Sequence, residues 1–173
     1  MSKPNTLIFS MTYTKERESL FQWVGLIPLE DEISFWTLNS GKKRPPLNWV
    51  NVQGLTSAIP RQDSNLPLLL TKGLEINSNL YLVNSFAQAI DMLVKERVDY
   101  IVAGKTSLRY QIITLGYCLD KFTVESAGII NKQQLGFAFN LQSEKALVEK
   151  YRNAFRAMEI DGSLNDIMTK WLY

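Results

Sequence analysis

An arginine near the start of the chain follows a series of hydroxyl side chains, a pattern typical of carboxylate binding. Arg17 comes after Ser10, Thr12 and Thr14 and a short apolar run at 7–9. Thr14 is expected to cap a helix, which puts Arg17 at the third helical position. Because a cation there opposes the helix dipole, one interpretation is a guanidinium that binds a carboxylate through two hydrogen bonds. The alternative is a solvated arginine paired with a neighbouring glutamate.

A second polar turn lies between a predicted strand and a predicted helix in the middle of the chain. It runs Arg61-Gln62-Asp63-Ser64-Asn65 and leads into the apolar segment that begins at Leu66. Ser64 or Asn65 is expected to cap this helix, and the free amides of a helix N-terminus bind anions. The alternative is a plain capped helix that binds no ligand.

Alternating β-rich and amphipathic segments predict an α/β fold with a central mixed or parallel sheet. The predicted strands cover 7–9, 22–25, 32–38, 55–59, 80–83, 98–103, 122–125 and 136–139. The predicted helices cover 15–21, 66–70, 86–97, 144–159 and 163–172, with one more that follows 104–107 and ends near 116. Pro28 is expected to mark a crossing between domains. Because open α/β sheets bind ligands at the carboxyl ends of their strands, the turns 61–64 and 104–107 are candidate ligand contacts.

Composition excludes several classes of function. The net charge of +2 is too small to indicate a nucleic-acid partner, and the one basic cluster, at 41–44, is predicted to be a solvated loop. The chain has no histidine, which excludes Ser-His and Cys-His catalysis and ordinary zinc sites. A single cysteine allows no internal disulfide. No apolar run reaches the length of a signal peptide or a membrane span, so we expect no membrane insertion.

Four segments, in order along nearly the whole chain, resemble type 2 periplasmic solute-binding proteins, and more closely the amino-acid-binding family 3 of ABC-transporter receptors. The segments are 10–25, 97–103, 135–139 and 161–172. The resemblance implies two α/β lobes joined by a hinge, with a small ligand held between them. One lobe is expected to be complete, at 29–134, and the other partial, formed by 1–28 with a C-terminal return at 135–173. Family members begin well upstream, so the resemblance also implies that the N-terminal part of the first lobe is missing.

The resemblance gives roles to the candidate residues of the first lobe. Arg17 matches the arginine that holds the α-carboxylate of the ligand. Ser10 and Thr12 match residues that contact the ligand through backbone and hydroxyl groups.

The same resemblance places ligand contacts in the second lobe. Ser64 matches the residue that closes on the ligand carboxylate, and Arg61 lies in the same turn. The family's aspartate for the α-ammonium falls at Gly104, and a glycine cannot supply that contact. This departure disfavours an ordinary amino-acid ligand. Lys105 would suit an anionic ligand, and its alternative is a flexible lysine in solvent.

The function that the resemblance implies is an extracytoplasmic, periplasmic solute-binding protein. It would capture a small anionic or zwitterionic ligand, a carboxylate or an amino-acid-like molecule, for an ABC-transporter permease, with no catalytic activity and no cofactor. One alternative is an interaction module that completes itself as a homodimer by strand exchange and has only vestigial ligand binding. The other is a sensor domain or an enzyme of the same fold. The lack of histidine and of paired catalytic acids disfavours the enzyme.

Overall fold

The computed structural model describes residues 3–39, 45–125 and 130–172, so the basic cluster at 41–44 lies outside the described residues. The chain divides into two compact units, which we call unit 1 (Met1–Glu30 with Gln133–Tyr173) and unit 2 (Asp31–Lys132). The strands are β1 Leu7–Thr12, β2 Phe21–Leu38, β3 Ser57–Pro60, β4 Leu80–Val83, β5 Tyr100–Gly104, β6 Phe122–Val124 and β7 Asn131–Asn140. The α-helices are α1 Lys15–Glu18, α2 Leu66–Thr71, α3 Phe86–Val94, α4 Lys105–Thr114, α5 Lys145–Ile160 and α6 Ser163–Leu172. That the two units act as ligand-binding lobes stays a prediction.

Unit 2 contains a mixed sheet, as the alternating pattern predicts. The second half of β2 pairs antiparallel with β5 and β6, whereas β5 with β3 and β3 with β4 are parallel pairs. Ser57 is in register with Tyr100 on one side and with Leu80 on the other, so β3, β4 and β5 end at the same edge of the sheet. Ile33 pairs with Gly104, which means that the second half of β2 starts at this edge too. We call it the turn edge of unit 2.

Apolar side chains cover both faces of this sheet. Successive residues of a strand point to opposite faces, so Phe35 and Trp36 belong to different clusters. One cluster packs α3 and α4 onto the sheet, with Ile90, Leu93, Leu108 and Ile112 buried. The other includes Leu69 of α2 together with Leu47, Val52 and Tyr100. Each fully buried side chain of this size stabilises the fold by about 1.5–3 kcal/mol, which fixes the helices that begin at the turn edge.

Unit 1 contains β1, the first half of β2, β7 and the helices α1, α5 and α6. β1 pairs antiparallel with β7, which also neighbours β2. Helix α5 packs on β7 through two edge-to-face ring pairs, Phe155 with Phe137 at 5.7 Å and Tyr151 with Phe139 at 5.1 Å between centroids. Among the described residues of either unit, no helix is both long and apolar enough to cross a membrane.

The predicted separation of two strands on either side of Pro28 is wrong. Sequence patterns indicated separate strands at 22–25 and 32–38, but β2 runs without interruption through both. The φ angle of proline suits extended backbone, and its missing N–H costs little where the ladder needs no donor. The first helix is also shorter than expected, because it ends at Glu18 and β2 begins already at Phe21. Pairing in the sheet overrides helical propensity there.

The predicted end of the third helix at 97 is also wrong. Helix α3 ends at Val94, and Glu96 takes the left-handed conformation with φ of 53°. A residue in that conformation terminates a helix by turning the backbone so that the last carbonyls find other donors. The amide of Arg97 accordingly donates to the carbonyl of Met92.

Gly25 is required by the packing of α5. A Cβ atom added to Gly25 would overlap the ring of Phe155, which is 8 % exposed. We expect Gly25→Ala to lower the free energy of unfolding by about 1–3 kcal/mol, the usual cost of overpacking a core. Urea unfolding followed by circular dichroism measures this cost. Gly54→Ala is the matched control, because a Cβ there meets nothing within 4 Å, and equal stability of the two variants would contradict the packing argument.

Candidate functional site

The turn between β1 and α1 places Arg17 as the sequence predicts. Thr14 is the N-cap of α1, and its hydroxyl accepts the Arg17 amide at 3.3 Å. The Arg17 side chain is half-buried, and its Nη1 donates to the carbonyl of Thr12 at 3.4 Å. Within the described part of the chain this is the one bond of the guanidinium. Most of its five N–H donors therefore remain available to a ligand.

The glutamates that flank Arg17 are engaged with other groups. The backbone amide of Glu16, with a smaller contribution from the Thr14 hydroxyl, holds the pKa of the Glu16 carboxylate below its usual range. A hydrogen bond from Tyr13 to Glu18 raises the pKa of the tyrosine hydroxyl. Among the described residues, Arg17 therefore forms no ion pair with a neighbouring glutamate, and the alternative interpretation does not apply.

Ser10 and Thr12 lie beside this arginine on β1. Ser10 is exposed and has a φ of 52°, at a register shift between Ile8 and Met11. A bulge of this kind re-aims a side chain and is common next to binding sites. The hydroxyl of Thr12 donates to Oε1 of Gln133 at 3.4 Å. The structure thus places Ser10 and Thr12 on β1 and Arg17 on α1 of unit 1, with a direct hydrogen bond between Arg17 and Thr12.

The turn edge of unit 2 gathers the second group of predicted residues. The turn after β3 holds Arg61 and Ser64. Gly104 is the last residue of β5 and Lys105 the first residue of α4, so the chain passes directly from strand to helix there, at what we call the turn after β5. Because β3 and β5 are parallel neighbours in the sheet, both turns follow strands that end at the same edge. This part of the structure is the arrangement that the sequence predicted from strand order alone.

The turn after β3 is held by a carboxylate rather than by a hydroxyl cap. Oδ1 of Asp63 accepts the backbone amide of Asn65 at 2.8 Å and its side-chain amide at 2.9 Å. Asn65 is the N-cap of α2, as one of two predicted alternatives, but its side chain makes no capping bond. Arg61 is exposed and Ser64 is half-buried.

The first turn of α4 is capped by a carboxylate on β2 that the sequence patterns did not indicate. Asp31, the first residue of unit 2, is only 3 % exposed. Its Oδ1 accepts the amide of Thr106 at 2.9 Å, and its Oδ2 accepts the amide of Ser107 at 3.3 Å. It thereby satisfies two of the first-turn amides of α4 from another strand. The pairing of Ile33 with Gly104 puts it there, and no local motif indicates such a contact.

Gly104 lies against this carboxylate. A Cβ atom added to Gly104 would overlap Oδ2 of Asp31 and would lie 2.7 Å from Oγ of Ser107. Gly104 is buried and is the N-cap of α4, without a side chain to make the cap. The structure therefore explains the glycine by the volume that Asp31 occupies.

Lys105 has an ionic partner on the neighbouring strand β2. Its Nζ lies 2.7 Å from Oε2 of Glu32, and both side chains are about one-third exposed, at 32 % and 31 %. The hydrogen bond from Lys105 lowers the pKa of Glu32, and the charge of Lys132 adds to the effect. Lys105 is thus not the free cation that an anionic ligand would need. Among the described residues, no cluster of three acidic or cysteine side chains could hold a metal ion.

The ion pair between Glu32 and Lys105 makes stability depend on pH. Because the pKa of Glu32 is lower in the folded protein than in the unfolded chain, its stabilisation is present at neutral pH. It is lost as the pH falls through the folded pKa, which lies below that of an ordinary glutamate. We expect Glu32→Gln to unfold at lower urea concentration than the native chain at pH 7, with a difference that shrinks on acidification.

A matched control for this experiment is Glu75→Gln, an exposed glutamate of unit 2 whose carboxylate has no partner among the described residues. The control should differ little from the native chain at either pH. A Glu32→Gln effect of the same size at pH 7 and at low pH would show that the pair contributes nothing through its charge.

The fold has well-matched counterparts among solved structures, although no protein-family model and no curated protein matches the sequence. A mutant of ArgBP from T. maritima superimposes with a TM-score of 0.75 at 18% identity, over 94% of this chain and 66% of that one. A histidine kinase sensor domain similar to periplasmic binding proteins gives 0.78 at 17% identity, over 96% and 69%. The substrate-binding protein of an amino acid ABC transporter gives 0.75 at 17% identity, over 95% and 70%.

These identities show a shared fold and no more. The chain spans about two thirds of the length of the three proteins that it resembles. All three are binding proteins or sensor domains by their descriptions. The chain therefore has the α/β fold of type 2 periplasmic binding proteins, as its four sequence segments predicted.

Proposed function

We propose that this chain is a solute-binding module for a small carboxylate or amino-acid-like ligand, without catalytic activity of its own. The observation that carries the proposal is the state of Arg17. The side chain is half-buried, and its guanidinium makes a single long bond to a backbone carbonyl within the described residues. A partly buried cation normally pairs with an anion, since leaving it unpaired costs free energy. A ligand carboxylate fits this requirement, because it accepts two parallel N–H bonds from the guanidinium.

Further ligand contacts are proposed for two groups of residues, one in each unit. In unit 1 they are the exposed Ser10 and the hydroxyl of Thr12, next to Arg17. In unit 2 they are Arg61, Ser64 and the backbone of Gly104, at the ends of parallel strands where open α/β sheets bind ligands.

The structural neighbours support the kind of ligand and the cellular setting. One of them is the substrate-binding protein of an amino acid ABC transporter, with 95% of this chain superimposed. By analogy we propose an extracytoplasmic, periplasmic location and an ABC-transporter permease as the partner of this chain. Membership of amino-acid-binding family 3 belongs to the same proposal, since only the fold is shared at 17% identity.

A sensor domain is a second candidate. The observation that favours it is the histidine kinase sensor domain, which superimposes with a TM-score of 0.78 over 96% of this chain. Sensing and transport use the same binding step, so affinity measurements do not separate them. The genes next to this one do: a neighbouring kinase supports the sensor, and a neighbouring permease supports transport.

A homodimer is the third candidate, because unit 1 exposes large apolar side chains. Phe9 on β1 is 68 % exposed, and Leu20 before β2 is 55 % exposed. β1 is also a terminal strand of the sheet order, and such strands can pair with another copy. Size-exclusion chromatography with light scattering tests the proposal. A dimer that Phe9→Lys dissociates supports it, and a monomer at all concentrations contradicts it.

Arg17 offers the sharpest test of ligand binding. After a thermal-shift screen of amino acids and small carboxylates identifies a ligand, titration calorimetry compares the native chain with Arg17→Ala. We expect affinity to fall at least tenfold, because hydrogen bonds to charged groups contribute about 1.5–3 kcal/mol each. Arg17→Lys should recover part of the loss, since it keeps the charge but not the planar fork.

The matched control is Arg156→Ala, an exposed arginine on α5 of the same unit. It removes the same charge and should leave affinity unchanged. Equal affinity of Arg17→Ala and the native chain would refute the assignment of Arg17.

A further inference from the structure

The outer edge of β1 presents free backbone groups to its surroundings. β1 stands at one end of the strand order, so within the described part of the chain no strand pairs with its outer side. The amide of Asn140 donates to the carbonyl of Thr6 at 3.2 Å, which shows that Thr6 directs its backbone groups toward β7. Because alternate residues of an antiparallel strand bond to the same neighbour, Leu7 and Phe9 direct theirs away from β7.

This free edge is short. The register between β1 and β7 shifts between Ile8 and Met11, so the regular strand ends at the bulge that contains Ser10. Past the bulge, the carbonyl of Thr12 accepts Nη1 of Arg17 at 3.4 Å. The free edge is therefore limited to residues 7–9, and pairing there uses no atom of Arg17.

The strand at the other end of the order is covered by its own neighbouring segments. In β4 the amide of Leu80 donates to the carbonyl of Glu75 at 3.0 Å, and its carbonyl accepts the amide of Asn77 at 3.0 Å. Just past β4, the amide of Asn84 donates to Oε1 of Gln88 at 3.0 Å. Among the described residues β1 has no such cover. It also contains no charged residue and no proline, which are the usual protection of an exposed edge.

The side chains of the free edge are apolar and continue the core of unit 1. The ring of Phe9, which is 68 % exposed, contacts that of Phe137 edge-to-face at 5.4 Å, and Phe137 in turn contacts Phe155 of α5. Leu7 lies on the same face of β1 as Phe9, since the two are separated by one residue. Large apolar side chains thus flank Ile8 on both sides, and reversing the strand direction exchanges one for the other.

We propose that the free edge of β1 pairs with the same edge of a second copy of this chain, antiparallel and centred on Ile8. The inference rests on the proposed homodimer and specifies its interface. Leu7 of each copy lies opposite Phe9 of the other, and the two exchange both of their backbone hydrogen bonds. The contact is isologous, because the same residues serve both sides. An uncharged strand brings no like charges together when it meets its own copy.

A disulfide cross-link tests this register. In the proposed pairing the two Ile8 residues face each other in a pair without hydrogen bonds, with Cα atoms about 4.5 Å apart. A disulfide spans this separation. The variant is Ile8→Cys in a Cys118→Ser background, because Cys118 is exposed. We expect oxidation with diamide to give a covalent homodimer, measured by non-reducing electrophoresis and mass spectrometry.

Thr6→Cys in the same background is the matched control. Thr6 lies two residues before Ile8 and directs its side chain to the same face. In the proposed pairing its two copies are about four residues apart along the strands, or roughly 14 Å, which no disulfide spans. We expect Ile8→Cys to cross-link at least tenfold faster than Thr6→Cys. Equal rates overturn the proposal, because random collision then accounts for both.

A mixture of two other variants tests the pairing without changing Ile8, which is half-buried. Leu7→Cys and Phe9→Cys, each in the Cys118→Ser background, carry thiols that the proposed register brings together only between unlike chains, at about 5.5 Å between Cα atoms. We expect oxidation of the mixture to give mainly the heterodimer. A statistical mixture of heterodimers and homodimers overturns the register.

The results separate this inference from the homodimer itself. If light scattering shows a dimer that Phe9→Lys dissociates, while neither cross-linking experiment shows the expected preference, only the pairing about Ile8 fails. If the native chain is a monomer at all concentrations and Ile8→Cys cross-links no faster than Thr6→Cys, the homodimer fails together with its interface.

Discussion

The carboxylate of Asp31 meets a requirement that every helix imposes. The first amides of a helix have no partner within it, and burying them unpaired costs about 1–3 kcal/mol each. In α4 the cap residue is Gly104, which has no side chain to offer, so the partner comes from the middle of β2. The antiparallel pairing of β2 with β5 brings Asp31 to that place. One interaction thus joins the first residue of unit 2, the end of its central strand and the start of its longest helix.

Two glycines show how much of the architecture depends on close approach. Gly25 lets the ring of Phe155 reach the sheet of unit 1, and Gly104 leaves room for Asp31 at the turn edge of unit 2. Neither has a positive φ, so backbone freedom is not the reason for the glycine. In both cases the missing Cβ makes space for a side chain that is distant in the sequence. These positions tolerate no side chain unless their partner moves.

The sequence predicted the structural features that depend on residues close together in the chain. The strands and helices of unit 2, their parallel order and the cap at Thr14 follow from periodicity, turn residues and capping chemistry. Prediction failed where pairing between distant segments decides the outcome. The sheet carries β2 through Pro28, and the cap of α4 comes from Asp31, 73 residues before Gly104 in the chain. The sequence explained Gly104 only as the loss of a ligand contact. The structure adds a packing reason, because Asp31 occupies the space of a Cβ atom there.

The two candidate regions differ in how far their charged groups are paired within the chain. In unit 1 the guanidinium of Arg17 has one backbone acceptor among the described residues, and its neighbouring glutamates are held by Tyr13 and Thr14. In unit 2 the carboxylate of Asp31 has its amides, and Lys105 has Glu32. Among the described residues Arg17 therefore has no anionic partner, whereas the charged groups of unit 2 already have partners within the chain. A protein that uses ionic groups only for stability would pair them alike in both places. The difference favours Arg17 as a group that binds a ligand anion, because the described residues leave its guanidinium a single backbone acceptor.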